Sequence, residues 1–155
     1  VAPGKDNENS EGLDPTAWLA RHSAQGWIDR SLKELALAQQ AFAEHQAPAA
    51  AAALKRAAGM ALNGALCTVP RPDWGRSYVD HLKAVATDSS LPMEVAQAAD
   101  AILQFAPKPG TLVLLRSPGH DERLVEAART VMAHAYAVVN GMAGRVVPPD
   151  SSGST

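Results

Sequence analysis

The chain has one cysteine, Cys67, so no internal disulfide can form and nothing calls for an oxidising compartment. Aromatic residues are scarce, at 5% of 155, while alanine is abundant; that balance favours closely packed helices over a β-sandwich. No apolar run approaches the roughly 20 residues that span a bilayer, so no membrane association is expected. A basic excess is missing too. The net charge of -2 argues against broad, non-specific nucleic-acid binding but leaves room for a local basic site. The first dozen residues are polar and acidic, with no basic segment leading into an apolar one, so a secretory signal is not expected and the location reads as cytoplasmic. The histidines at 22, 45, 81, 120 and 134 form no ligand-spaced pair, and Cys-x-x-Cys, His-Glu-x-x-His and Gly-rich phosphate loops are absent. Neither a metal nor a cofactor is therefore expected.

What is present is helical pattern broken by proline and glycine. Hydrophobic residues are 46% and charged residues 19%, enough for one domain with its own core. Residues 1–13 read as a disordered N-terminal segment, 14–142 as a helical bundle domain, and 143–155 as a disordered tail carrying Pro148-Pro149 and a Ser/Gly run. Asp14-Pro15 reads as a cap and first helical position. From there to about His45, Trp18, Ile28, Leu32, Leu35 and Phe42 lie on or near one stripe, with Gly26 as a point of bending. Pro48 restarts the helix, and Leu54, Ala58, Ala61, Leu62 and Ala65 recur at three- and four-residue steps. The small-residue face around Gly59, Met60, Asn63 and Gly64 predicts close approach of another helix, within the chain or across a two-fold axis. Prolines hold 69–75 out of helix, and Ser77 with Asp80 resembles a capping box opening a short helix. A further helix runs from Ser90-Leu-Pro92 to about Phe105, and a last one from Asp121-Glu122 to Asn140-Gly141. Thr111–Leu115 is the only strand-like run and reads as extended chain on the bundle. The expected fold is all-α: a single up-and-down bundle of about five helices, with Leu32, Leu35, Leu62, Leu82, Ile102 and Val131 in the core.

These features resemble the HEPN superfamily of small helical nucleotide-binding bundles over about Trp18 to Asn140. The resemblance rests on a long amphipathic helix followed by an Ala-rich one, on the Pro loop before His81-Leu82, and on Leu114-Leu-Arg116-Ser-Pro118 before the last helix, where many members carry Arg-Tyr-Pro. It implies a binding domain for a nucleotide, RNA or protein partner, a nucleotidyltransferase-like partner protein, and pairing of two copies through the long helices. Ribonuclease members carry an Arg four to six residues before a His. Arg76 with His81 matches, and Arg129-Thr-Val-Met-Ala-His134-Ala-Tyr136 matches with Thr130 where Asn is usual. The alternatives implied are a metal-independent ribonuclease of toxin or defence type, or an interaction module without ligand.

Metal-free RNA cleavage needs a base at the 2′-hydroxyl and a cation at the phosphate, roles that suit His and Arg. Residues five apart on a helix sit roughly 140° apart, so Arg129 and His134 do not converge without distortion, whereas Arg129 and Tyr136 share a face. The bland expectations are a backbone-bonded His81, a partly buried polar His134 and an inert buried Cys67. Trp74, Arg76, His81 and Arg116 are the expected lining of any ligand cleft, with the loops before two helices gathered at one end where helix N-termini favour anions.

Overall fold

In a computed structural model that describes residues 17–107 and 118–141, the chain is an all-α bundle of five helices. They are α1 (Ala24–Ala43), α2 (Ala47–Thr68), α3 (Tyr78–Thr87), α4 (Met93–Gln104) and α5 (Pro118–Val139), with 3-10 turns at Ala17–Arg21 and Pro72–Trp74. The expected tails at 1–13 and 143–155, the 111–115 run, Asp14, Pro15 and Arg116 lie outside the described residues.

The first helix begins later than its periodicity predicts. Ser23 Oγ accepts the Gly26 N–H at 2.9 Å and caps α1, so the break falls at Ser23 and not at Gly26. Leu32 is not a core residue and is 55% exposed. The buried stripe is Trp27, Ile28, Ser31, Leu35, Ala38, Ala41 and Phe42, and Leu32 stands one position, or 100°, past Ser31. Leu35, Leu62, Leu82, Ile102 and Val131 are all buried as expected.

α2 is the central helix, with fourteen of its residues buried, because its alanines and glycines let neighbours close on most sides. A Cβ on Gly59 would lie 2.4 Å from the Tyr78 ring, and one on Gly64 would lie 2.8 Å from the Ala24 carbonyl oxygen. The close approach predicted for this face is therefore made inside the chain, to α3 and α1. Pro48 sits in the first turn of α2, where its missing N–H costs nothing.

Chain direction sets where the ends meet. A three-residue reversal joins α1 to α2, with His45 in the left-handed region (φ 58°) and the Gln46 N–H bonded to the Ala41 carbonyl at 2.8 Å. The end of α1 meets the start of α5: Phe42 packs on Phe105, and Phe105 on His120, with ring centroids 5.8 and 6.0 Å apart. α5 begins at Pro118, earlier than Asp121, and ends in a turn in which Gly141 (φ 67°) donates to the Val138 carbonyl at 3.1 Å. α5 thus runs beside α2 in the same direction, and the two helices finish at the same end of the bundle. Among the described residues no helix is long and apolar enough to cross a membrane.

Candidate functional site

At that shared end the last turns of α2 and α5 stand apart, and the 69–77 loop and the α3–α4 turn close around the gap. The result is an open groove of about 710 Å³. Leu62, Leu66 and Val69 form its α2 wall, Val138 its α5 wall, and Trp74 and Leu91 come from the two connections. Arg71, Ser90 and His134 bring polar groups to this apolar surface.

Trp74 is held by its loop. Pro72 opens a 3-10 turn in which the Trp74 N–H bonds to the Arg71 carbonyl at 3.0 Å. The indole is 8% exposed. The Arg71 guanidinium lies 5.1 Å from its ring centroid, a cation–π contact, and donates to Asp88 at 2.7 Å. Asp88 also accepts the Ser90 N–H at 2.9 Å. Its carboxyl is held below the ordinary range first by the Ser90 hydroxyl, then by that N–H, with Arg71 adding to the effect. Arg71 therefore faces the groove with its charge already matched. His134 reaches the groove from α5, and burial lowers its pKa, which favours the neutral imidazole with one donor and one acceptor nitrogen.

His81 lies beneath the loop and does not line the groove. Ser77 Oγ caps α3 through the Asp80 N–H at 3.0 Å, placing His81 in the first turn. Its side chain is fully buried, stacked on Trp18 with centroids 5.8 Å apart and tilted against Trp74 at 6.5 Å. Nε2 lies 3.0 Å from the Gly75 carbonyl oxygen, which can only accept, so Nε2 carries the proton. Nδ1 is buried without a partner. Burial lowers the pKa of this ring, against the opposing pull of the Gly75 carbonyl and Asp80. The expected backbone bond is present, in a histidine sealed from solvent.

The remaining expected site residues scatter. Arg76 lines a separate hollow of about 120 Å³ with Trp18 and Pro72. Arg129 pairs with Glu126 on the exposed side of α5 and opens onto a cavity shared with Gln39 and Phe42 of α1. Tyr136 is 46% exposed. Arg129 and His134 accordingly face different spaces, as the helical angle predicts. Among the described residues α5 starts at the opposite end from Trp74, and the loop before it, with Arg116, lies outside the described residues. Cys67 is exposed and not buried as expected; its thiol points at the Leu19 carbonyl 3.7 Å away, and partial burial raises its pKa, which keeps it a poor nucleophile. Sequence reasoning missed Arg71 as the partner of Asp88, and Leu91 and Val138 as groove walls. The acid seventeen positions after Arg71 was the available signal for the first, and nothing local marked the others.

Among the described residues no group of three or more His, Cys, Asp or Glu is placed to hold a metal ion. No protein-family model matches the sequence, and comparison with curated proteins and with solved structures likewise finds no match to it.

Proposed function

We propose that the protein is a binding domain whose ligand is a small, flat, largely apolar molecule of nucleobase size, held where α2 and α5 end. The observation that carries this reading is the groove: about 710 Å³, apolar walls and a few fixed polar groups, the make-up of a small-molecule site. His134 and Ser90 supply hydrogen bonds at its rim, and Trp74 an aromatic wall. Arg71 is committed to Asp88, so a phosphate entering this groove meets no unmatched cation. Of the nucleotide, RNA and protein ligands that the HEPN resemblance implies, the base portion of a nucleotide suits the groove best. The five-helix bundle is the fold that resemblance implies, and such bundles serve many unrelated functions. A nucleotidyltransferase-like partner and a homodimer rest on the resemblance alone. The ribonuclease alternative has less support: His81 is sealed, and Arg129 and His134 open onto different cavities.

Titrating adenosine, with adenosine monophosphate beside it, while following the melting temperature tests the reading. Ligand at about 100 times its Kd adds about 2.7 kcal/mol of stability. Wild type should be stabilised by both, and Ala65→Trp, which fills the groove, should not be stabilised by adenosine. Wild type that melts unchanged with either compound would remove the nucleobase reading and favour an interaction module.

A further inference from the structure

We propose that Arg21, Arg30 and Arg56, with Tyr78, on the face built by the first 3-10 turn, α1, α2 and the start of α3, form a site for a phosphoryl group, separate from the groove. Tyr78 is fixed first. It opens α3 and its ring lies against Gly59, where even a methyl group would sit 2.4 Å away. Arg56 is three residues before Gly59 on α2, hence on the same face, and its Nε donates to Glu34 of α1 at 2.9 Å. Arg30 is four residues before Glu34, one turn along the same face of α1, and Arg21 ends the 3-10 turn. His22 follows it, packed edge-on against Trp27 with centroids 4.6 Å apart.

Two side chains feel this crowding of cations. The Tyr78 hydroxyl is pushed up by burial and then by Glu34, while Arg21, Arg56 and Arg30 pull against that. His22 is held down by desolvation, then by Arg30 and Arg21. Among the described residues the charged groups acting on Tyr78 are three guanidinium groups and one carboxylate, a local excess of cations in a chain of net charge -2. That one carboxylate is already bonded to Arg56. Arg21 and Arg30 are exposed, and neither has a carboxylate partner among the described residues, unlike Arg71 and Arg129. Guanidinium forks match the oxygens of a phosphate, and a protonated tyrosyl hydroxyl offers one more donor. The ligand class is therefore a phosphate monoester or free phosphate. The groove, whose single arginine is matched, does not compete for it.

Inorganic phosphate is the first probe and phosphoserine the second, each titrated against the whole chain while arginine side-chain Nε–H resonances are followed by NMR at fixed ionic strength. The expected result is saturable shifts at Arg21 and Arg30, with about tenfold weaker binding in Arg30→Gln, the size of one lost charged hydrogen bond. Glu34→Gln should bind more tightly, because it removes the local negative charge and releases Arg56; a gain cannot come from misfolding. Lys83→Gln, on a different face, should match wild type. Tighter binding of phosphoserine than of phosphate would identify a monoester ligand, and equal binding a free-phosphate site. Absence of saturation in wild type, or equal affinities in wild type, Arg30→Gln and Glu34→Gln, would overturn the proposal. Adenosine binding in the groove is unaffected by either result, so the two sites fail separately.

Discussion

The two ends of α2 differ sharply although they belong to one helix. From Ala50 to Gly64 the core-facing side of the helix is sealed: Ala50, Leu54, Ala57, Ala58 and Ala61 have no exposed surface, and the α1 backbone comes within contact of Gly64. One turn later Leu66 borders the groove and Val69 is 50% exposed. Small residues draw neighbouring helices in, and where they give way to Leu66, Cys67, Thr68 and Val69 the neighbours stand off. The groove in this bundle is thus produced by the same helix that closes the core, at the point where its small-residue pattern stops.

The contrast predicts unequal responses to substitution. Leu54→Ala, in the sealed part, should cost about 2–5 kcal/mol because the surrounding helices leave little freedom to collapse. Val69→Ala, at the open end, should stay within about 0.5 kcal/mol. Urea denaturation of both checks this, and similar losses would dissolve the distinction between the ends. Gly64→Leu comes next, at about 1–3 kcal/mol, since the clash is with backbone that has no rotamer to change. An unchanged melting temperature there would show that α1 and α2 pack less closely than the 2.8 Å approach requires.

The smallest effect concerns pH and the seam between the two regions, where His81 sits under Trp74. Its folded-state pKa is below the ordinary 6.5, and that of His134 shifts the same way. The unfolded chain therefore takes up these protons at higher pH than the folded one. Stability is complete above about pH 6.5 and declines as pH falls from there toward the folded-state values, by at most about 1.4 kcal/mol per pH unit for each such histidine. Denaturation at pH 7.5 and 5.5 checks the sign. Greater stability at the lower pH would mean that these rings are not held neutral.

The helices were legible in the sequence because periodicity and punctuation agree: the Ala-rich run after Pro48, the Ser77 cap and the Asn140-Gly141 stop each have a local cause. Leu32 was misplaced because the buried stripe is centred near Ser31, a small polar residue that hydropathy does not mark, and Leu32 stands 100° from it. The site was less legible. Trp74 and His134 are 60 positions apart, and their meeting follows from α2 and α5 running in the same direction, which no local pattern encodes. His81 looked available at the start of a helix. Only the positions of Trp18 and Trp74, from two different turns, show it to be enclosed.

That shared direction has an electrostatic consequence. In an antiparallel pair the peptide dipoles of neighbouring helices oppose each other, whereas here the carbonyl ends of α2 and α5 arrive together at the groove. Each helix end carries roughly half a negative charge on its terminal carbonyls. Some are answered: the Ala65 oxygen accepts the Val69 N–H at 2.8 Å and the Val138 oxygen accepts the Gly141 N–H at 3.1 Å. The combined field still makes this end of the bundle attractive to hydrogen-bond donors and partial positive charge. A ligand seated there would turn an exocyclic amino group inward and leave any anionic substituent outside, toward solvent.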